Sequence, residues 1–329
     1  MRVARLHGIG DLRVEDVPVP TPGRGELLVR VLANGVCATD ARKFEVGVND
    51  GEYPFNPGHE WVGTVAEIGA DVDGWAVGDR VYGDTYGGYA AFTTIPVEPG
   101  PWSCGPTAIP QDLPVDRAVF LEPLADCLHA VHDQAQIRRG HRALVIGAGS
   151  MGLQVVAGAA RAGASVAVVE PIEQRRKLAR TMGADVTVDS DGWQDAVRNW
   201  SGGDGVDAVL LMLGAATLVP AAIDACAPGG RVVLFAGFGD RPEATLDLNR
   251  VHYREITVVG SEWIGTPPNQ RRERYADALQ LLQELHLEEL VTDRCGFDGI
   301  VAAIAERSRL QALKTVFYPD EQAPEAPAR

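Results

Sequence analysis

An apolar run, Ala143 to Ile146, leads straight into Gly147-Ala148-Gly149-Ser150-Met151-Gly152 and then a small-residue helix, Leu153 to Arg161. No other stretch restricts the fold as strongly. In a G-x-G-x-x-G turn the first glycine makes the tight bend and the second lets backbone approach a pyrophosphate. The third lets helix and strand pack closely, and the helix N-terminus faces the phosphates. The motif alone is common. Here a strand precedes it, a helix follows, and Glu170 ends the next strand about 20 residues on, which is the setting a dinucleotide needs. Gly147, Gly149, Ser150, Met151 and Gly152 are therefore expected to hold the cofactor. A carboxylate at Glu170 accepts hydrogen bonds from the adenosine ribose and repels a 2'-phosphate, so NAD is expected over NADP. Arg175 is placed with the cofactor-binding residues, and Arg175 and Arg176 together could soften that preference.

The surroundings extend the pattern. Ser165 to Val169, Val186 to Val188, Val206 to Leu213, Arg231 to Ala236 and Ile256 to Gly260 read as strands, and Ile172 to Met182 as a charged helix. Strands alternating with helices imply a parallel sheet with right-handed crossovers, a doubly wound α/β unit. The first 125 residues read differently. Val3 to Leu6, Leu12 to Val14, Glu26 to Val31, Trp61 to Ile68 and Asp79 to Tyr82 are short strands between Pro and Gly clusters, and no helix is predicted before about Val115. After Ser261 come predicted helices at Tyr275 to Leu287 and Ile300 to Arg307 and a strand at Lys314 to Tyr318. The expected division is a β-rich domain over 1–125, a nucleotide domain over 126–262, a return segment over 263–319 and a flexible tail over 320–329, whose composition is that of a disordered end.

Composition excludes several classes. Thirty Lys plus Arg against forty-five Asp plus Glu leave a net charge of -15, which repels phosphate backbones and anionic lipid, so no nucleic-acid or membrane partner is expected. The longest uncharged run, Ala208 to Ile223, contains Gly214 and Pro220 and reads as strand-turn-helix rather than a membrane span. The opening residues carry charges throughout and lack the apolar core of a secretion signal. Five scattered cysteines (37, 104, 127, 226, 295) point to reduced thiols in a cytoplasm.

Cys37 stands in Gly-Val-Cys-Ala-Thr-Asp, His59 in Gly-His-Glu ahead of Glu60, and Glu122 in Phe-Leu-Glu-Pro-Leu. One thiolate, one imidazole and one or two carboxylates suit a catalytic zinc with a position left for water or substrate. Spacing alone leaves this open against a set of ordinary structural or solvated side chains. GVCATD, GHEWVGTVAEIG, VGDRV, GGYAAF, EPLADCLHA and GAGSMG, however, follow the order found in the zinc-dependent medium-chain dehydrogenases/reductases. The chain resembles that family from about Met1 to Pro319, and with EPL it is most similar to the polyol, sorbitol, cyclitol and glucose dehydrogenase branch.

The resemblance implies a GroES-like catalytic domain, a Rossmann domain and an active site in the cleft between them. It implies that Cys37 and His59 ligate zinc, that Glu60 matches an acidic ligand, and that Glu122 either ligates zinc or holds its water. Thr39 matches the hydroxyl that meets the substrate oxygen, and Asp40 the carboxylate that orients the zinc-bound imidazole. Two departures stand out. The four-cysteine lobe of a structural zinc has no counterpart between Val81 and Gly87, and Cys104 is solitary, so one zinc per chain is expected and no structural zinc. The histidine that relays protons five residues after the first zinc ligand is replaced by Arg42, which does not titrate near neutrality, leaving water or Glu122 as the route.

The expectation is an NAD-dependent zinc enzyme exchanging a hydride with a small secondary alcohol or ketone, a polyol, sugar or cyclitol, in a homodimer or homotetramer. The rivals are a zinc-free enoyl or quinone reductase on the same scaffold and a nucleotide-binding redox sensor without turnover. Cys127 reads as a buried hydrophobe, and His129 and His132 as hydrogen-bonding residues. Arg271, Arg272 and Arg274 read as a solvated helix face rather than a phosphate site. Trp263 and Tyr253 either line a pocket or fill an interface.

Overall fold

The computed structural model describes residues 1–48, 52–101, 103–239, 242–263, 265–306 and 312–320. Two compact units emerge: Met1–Glu122 with Pro267–Arg329, and Pro123–Thr266.

The chain begins with a hairpin of β1 (Arg2–Gly8) and β2 (Asp11–Asp16). An eleven-residue strand, β3 (Glu26–Val36), follows and is buried over most of its length. Directly after it comes a helix, α1 (Ala38–Val46), where none is predicted. ATDARKFEV has two β-branched residues and no apolar stripe, so periodicity misses it. What nucleates it is its cap: Cys37 Sγ accepts from Thr39 N–H, and Asp40 reaches back to the Cys37 N–H. Then come β4 (Trp61–Ile68), β5 (Arg80–Gly83), β6 (Phe92–Pro96), β7 (Thr107–Ala108) and the short α2 (Val115–Ala118).

In the second unit the expected alternation is found. After α3 (Leu121–His129) the strands are β8 (Arg142–Ile146), β9 (Ser165–Val169), β10 (Val186–Val188), β11 (Val206–Leu211), β12 (Cys226–Leu234) and β13 (Thr257–Gly260). They pair parallel in the order β10-β9-β8-β11-β12-β13, the doubly wound arrangement with its switch point beside β8. The intervening helices are α4 (Ser150–Arg161), α5 (Glu173–Thr181), α6 (Trp193–Trp200), α7 (Val219–Ala225) and α8 (Leu248–Tyr253). Leu144, Ile146, Val209, Leu211, Val232 and Ile223 form the core between sheet and helices, each contributing about 1.5–3 kcal/mol through burial. The run from Ala208 to Ile223 is indeed a strand, a turn and a helix. Among the described residues no helix is long and apolar enough to cross a membrane.

The chain returns to the first unit with α9 (Pro268–Glu284), β14 (Val291–Cys295), α10 (Ile300–Ala305) and β15 (Lys314–Phe317). Helix α9 starts seven residues before the expected Tyr275, because Pro268 suits a first helical position that apolar periodicity does not mark. Arg307 at the end of the helix expected at 300–307, and residues 321–329 of the expected tail, lie outside the described residues. β15 pairs antiparallel with β3, completing a sheet of order β14-β15-β3-β4-β5-β7, with β6 also on β3. With its all-β core of Leu27, Val29, Val31, Trp61, Val65 and Ile95, this unit has the mixed, GroES-like architecture expected of it.

Candidate functional site

Strand register assembles the first cluster. β3 and β4 run antiparallel with Asn34 opposite Trp61, so the residues leaving β3 lie beside those entering β4. Cys37 leaves β3, and His59 and Glu60 enter β4. One ligand atom from each of Cys37, His59 and Glu60 lies within 4.8 Å of the others. The turn before His59 requires Gly58, whose φ of 90° belongs to the left-handed region and whose missing side chain leaves room for the Tyr89 amide.

Asp40 stands beside the imidazole. Its carboxylate is buried and accepts from the Tyr89 hydroxyl at 2.8 Å and the Gly58 amide at 3.2 Å. His59 Nδ1 lies 3.4 Å from Asp40 Oδ1, close enough for ion pairing but without an aligned hydrogen bond. Burial pushes the Asp40 carboxyl up, but His59, Tyr89 and Gly58 outweigh it and hold it below the usual range. Burial likewise disfavours the imidazolium, yet Asp40 and Cys37 raise the His59 pKa well above its ordinary value. The field at this point therefore favours a positive charge, as a divalent cation supplies. A soft sulfur, an imidazole beside a carboxylate and an acidic oxygen suit zinc. These residues fit the metal.

Glu60 has a second partner that spacing does not reveal. Thr315 of β15 lies opposite Val36 of β3, so Lys314 and Glu60 approach from the two flanks of β3 and form a buried ion pair. They meet over Gly35, where a Cβ would overlap Glu60 Oε2 and crowd the Lys314 stem. Asn34 adds a hydrogen bond, its Oδ1 accepting from the Glu60 amide at 3.2 Å. Glu122 is half-buried nearby but is not one of the three converging candidate ligands. Burial raises its carboxyl to about 7, with His59 and Lys314 lowering it and Glu60 and Asp84 raising it. Thr39 and Arg42 are exposed on α1.

Where a four-cysteine lobe would stand there is a hydrogen-bonded hub on Asp84. Its carboxylate accepts from the Ser103 hydroxyl, from the Cys104 amide at 3.0 Å and from the Tyr275 hydroxyl at 3.0 Å. Arg271 is not on a solvated face: it is 1% exposed and donates to the carbonyls of Gly100 and Pro101, so only Arg272 fits that expectation. Burial holds the Cys104 thiol at about 12. Among the described residues, only Cys37, His59 and Glu60 group as possible metal ligands.

In the second unit the glycine turn has the geometry a pyrophosphate needs. Gly147 has φ 101°, a Cβ on Gly152 would overlap the Gly147 carbonyl oxygen, and the position over Gly149 is open. Gly149 caps α4 with no side-chain hydrogen bond, so the first-turn amides have no competing side chain. Glu170 is 3% exposed and its two oxygens accept from Ala148 N at 2.8 Å and Ile172 N at 3.0 Å. Arg176 donates through Nη1 to the Glu170 and Pro171 carbonyls and to Asp189. Cys127 is buried, its thiol donating to the Met151 carbonyl, as a small core residue does. His129 lies between Asp133 and Gln134, at 2.9 and 3.0 Å, and packs on Trp263. Tyr253 is 78% exposed and fills no interior space.

Comparison with known proteins finds similarity along most of the chain. The family model described as zinc-binding dehydrogenase matches residues 150–284, and that of the alcohol dehydrogenase GroES-like domain matches residues 23–98. The chain is 30% identical to an L-threonine 3-dehydrogenase of Thermococcus kodakarensis, over 92% of this chain and 93% of that one. It is 31% identical to an erythritol/L-threitol dehydrogenase of Mycolicibacterium smegmatis, over 79% and 83%. Among solved structures it is similar to a protein of Sinorhizobium meliloti 1021 described as a zinc-binding dehydrogenase and bound to NADP. The TM-score is 0.85 at 26% identity, covering 97% of this chain and 99% of that one.

Proposed function

Because the chain belongs to the zinc-dependent medium-chain alcohol dehydrogenase family, we propose that it interconverts a secondary alcohol of polyol, sugar or cyclitol type and its ketone with NAD. The observation that carries this reading is the convergence of Cys37, His59 and Glu60 within 4.8 Å at a point whose field favours a cation. In this reading residues 1–125 and 263–319 form the metal-holding domain and 126–262 the nucleotide-holding one.

When bound, zinc supplies a Lewis acid to the alcohol oxygen and NAD a hydride acceptor. The chain's own residues do the rest. Cys37, His59 and Glu60 hold the metal, with Glu122 a candidate further ligand or water holder. Asp40 keeps the imidazole in one orientation through Nδ1. Thr39, on the first turn of α1, positions the substrate hydroxyl and passes on its proton. With Arg42 in the place of a relay histidine, Glu122, whose carboxyl burial raises to about 7, is the carboxyl proposed to exchange that proton. One zinc per chain is part of the proposal, supported by the Asp84 hub that stands where a second site would be. A zinc-free reductase or a sensor without turnover gives no reason for a cysteine, a histidine and a glutamate to converge as these do. The test is metal content by mass spectrometry together with NAD reduction by butane-2,3-diol and erythritol. About one zinc per chain and turnover of either alcohol is expected, and protein that neither holds nor takes up zinc would overturn the reading.

NAD is proposed over NADP because Glu170 is anchored by two backbone amides, which fixes a negative charge at the end of β9, and Arg176 donates to Asp189. Glu170→Gln, which keeps the volume and removes the charge, should raise the NADP/NAD ratio of kcat/KM about tenfold, or ~1.4 kcal/mol. An unchanged ratio in steady-state kinetics would count against it. Assembly as a homodimer or homotetramer is supported by β13, an edge strand with Val258 partly exposed. A cytoplasmic setting is supported by five cysteines that stand outside disulfides.

A further inference from the structure

Lys43, one of three lysines in the chain, lies on α1 four residues after Thr39. Residues four apart share a helix face, so Lys43 stands about 6 Å along the axis from the residue assigned to the substrate hydroxyl. Its Nζ is 5.2 Å from the ring centroid of Tyr86 and 5.4 Å from that of Phe55. These two rings pack edge to face at 4.9 Å, and Tyr86 packs on His59 at 5.2 Å. The ammonium is thus no more than about 10 Å from the imidazole of the metal cluster. All these residues belong to the first unit.

Lys43 as a residue is half-buried, and among the described residues no carboxylate pairs with its ammonium. Ring faces attract a cation but accept none of its strong hydrogen bonds, so its three N–H donors still need acceptors. Two acidic groups of the metal cluster have other partners: Glu60 pairs with Lys314, and Asp40 with Tyr89 and Gly58. At a net charge of -15 the surface as a whole repels anions. A cation with no carboxylate partner among the described residues, one helical turn from the residue proposed to meet the hydroxyl, therefore has a reason to be there if the substrate brings the missing charge.

We infer that Lys43 selects alcohols carrying an anionic group, a carboxylate or a phosphate, a few bonds from the carbinol carbon, held against the Phe55–Tyr86 wall. This rests on the alcohol dehydrogenase reading above. The bulk of the substrate can remain polyol-like; what the inference adds is its charge.

The test is calorimetric binding to the zinc-loaded enzyme with saturating NADH, using two matched pairs. One is 3-hydroxybutyrate against 3-hydroxybutyramide, the other erythritol 4-phosphate against erythritol. The anionic member of at least one pair should bind about tenfold tighter, and the pair that shows the gap identifies carboxylate or phosphate. Lys43→Met should close that gap to within about twofold, and Lys43→Arg should retain it. Equal binding within both pairs, or a gap that survives in Lys43→Met, would overturn the inference. Failure of the dehydrogenase reading would show separately, as no NADH formed from any of the four alcohols while the binding gap persists.

Discussion

Cys37→Ser is expected to strip the protein of metal and to lower NAD-coupled alcohol oxidation about a thousandfold or more. Two roles meet in Cys37. Its sulfur is one of three converging candidate ligands, and it also caps α1 by accepting from the Thr39 amide. Serine is a preferred helix cap, so the hydroxyl can keep the second role while losing the first, because a neutral hydroxyl is a poor zinc ligand. Lewis-acid stabilisation is worth several kcal/mol, and each 1.36 kcal/mol is tenfold in rate, which gives the thousandfold scale. Thermal unfolding of metal-free samples should shift by only a few degrees between Cys37→Ser and the parent. A variant that retained both stoichiometric zinc and full turnover would remove Cys37 from the site.

Gly152→Val is expected to raise the dissociation constant for NADH at least about a hundredfold. At this position any Cβ overlaps the Gly147 carbonyl, so either the turn opens or α4 moves away from β8. Overpacking of this kind costs about 1–3 kcal/mol even where neighbours can give, and here the neighbour is backbone. The same displacement carries the α4 amides away from the pyrophosphate position. Zinc content should persist, since Cys37, His59 and Glu60 all belong to the other unit. NADH fluorescence titration reads the first quantity and metal analysis the second. NADH binding at parental affinity would mean that the turn does not hold the cofactor.

These two positions also mark what could be read from the chain in advance. Gly152 belongs to a local pattern: strand, glycines, helix and a carboxylate at the next strand end follow one another within a few turns. β9 and β10 were accordingly legible to the residue, and β8 to within one. Cys37, His59 and Glu60 could be named only through family resemblance, because antiparallel pairing, not spacing, brings them together. Helix α1 escaped because its nucleus is a cap rather than an apolar stripe, although the Cys-x-x-Asp spacing that forms the capping box was visible. Tyr89 and Lys314 left no local trace. Each acts on the cluster through a contact 49 or 254 positions away in the chain, and only the sheet register shows that Gly35 must be empty for Lys314 to reach Glu60.

The distance between Glu60 and Lys314 along the chain has a consequence for biosynthesis. A ribosome delivers Cys37, His59 and Glu60 early, then makes the whole nucleotide-binding unit before it supplies β15. At about 5–20 residues per second, the early side chains wait on the order of tens of seconds for the strand that flanks them. During that interval the middle of the chain has every partner it needs to fold, whereas the beginning does not. The protein is thus expected to mature from the inside outward, with metal acquired after release from the ribosome.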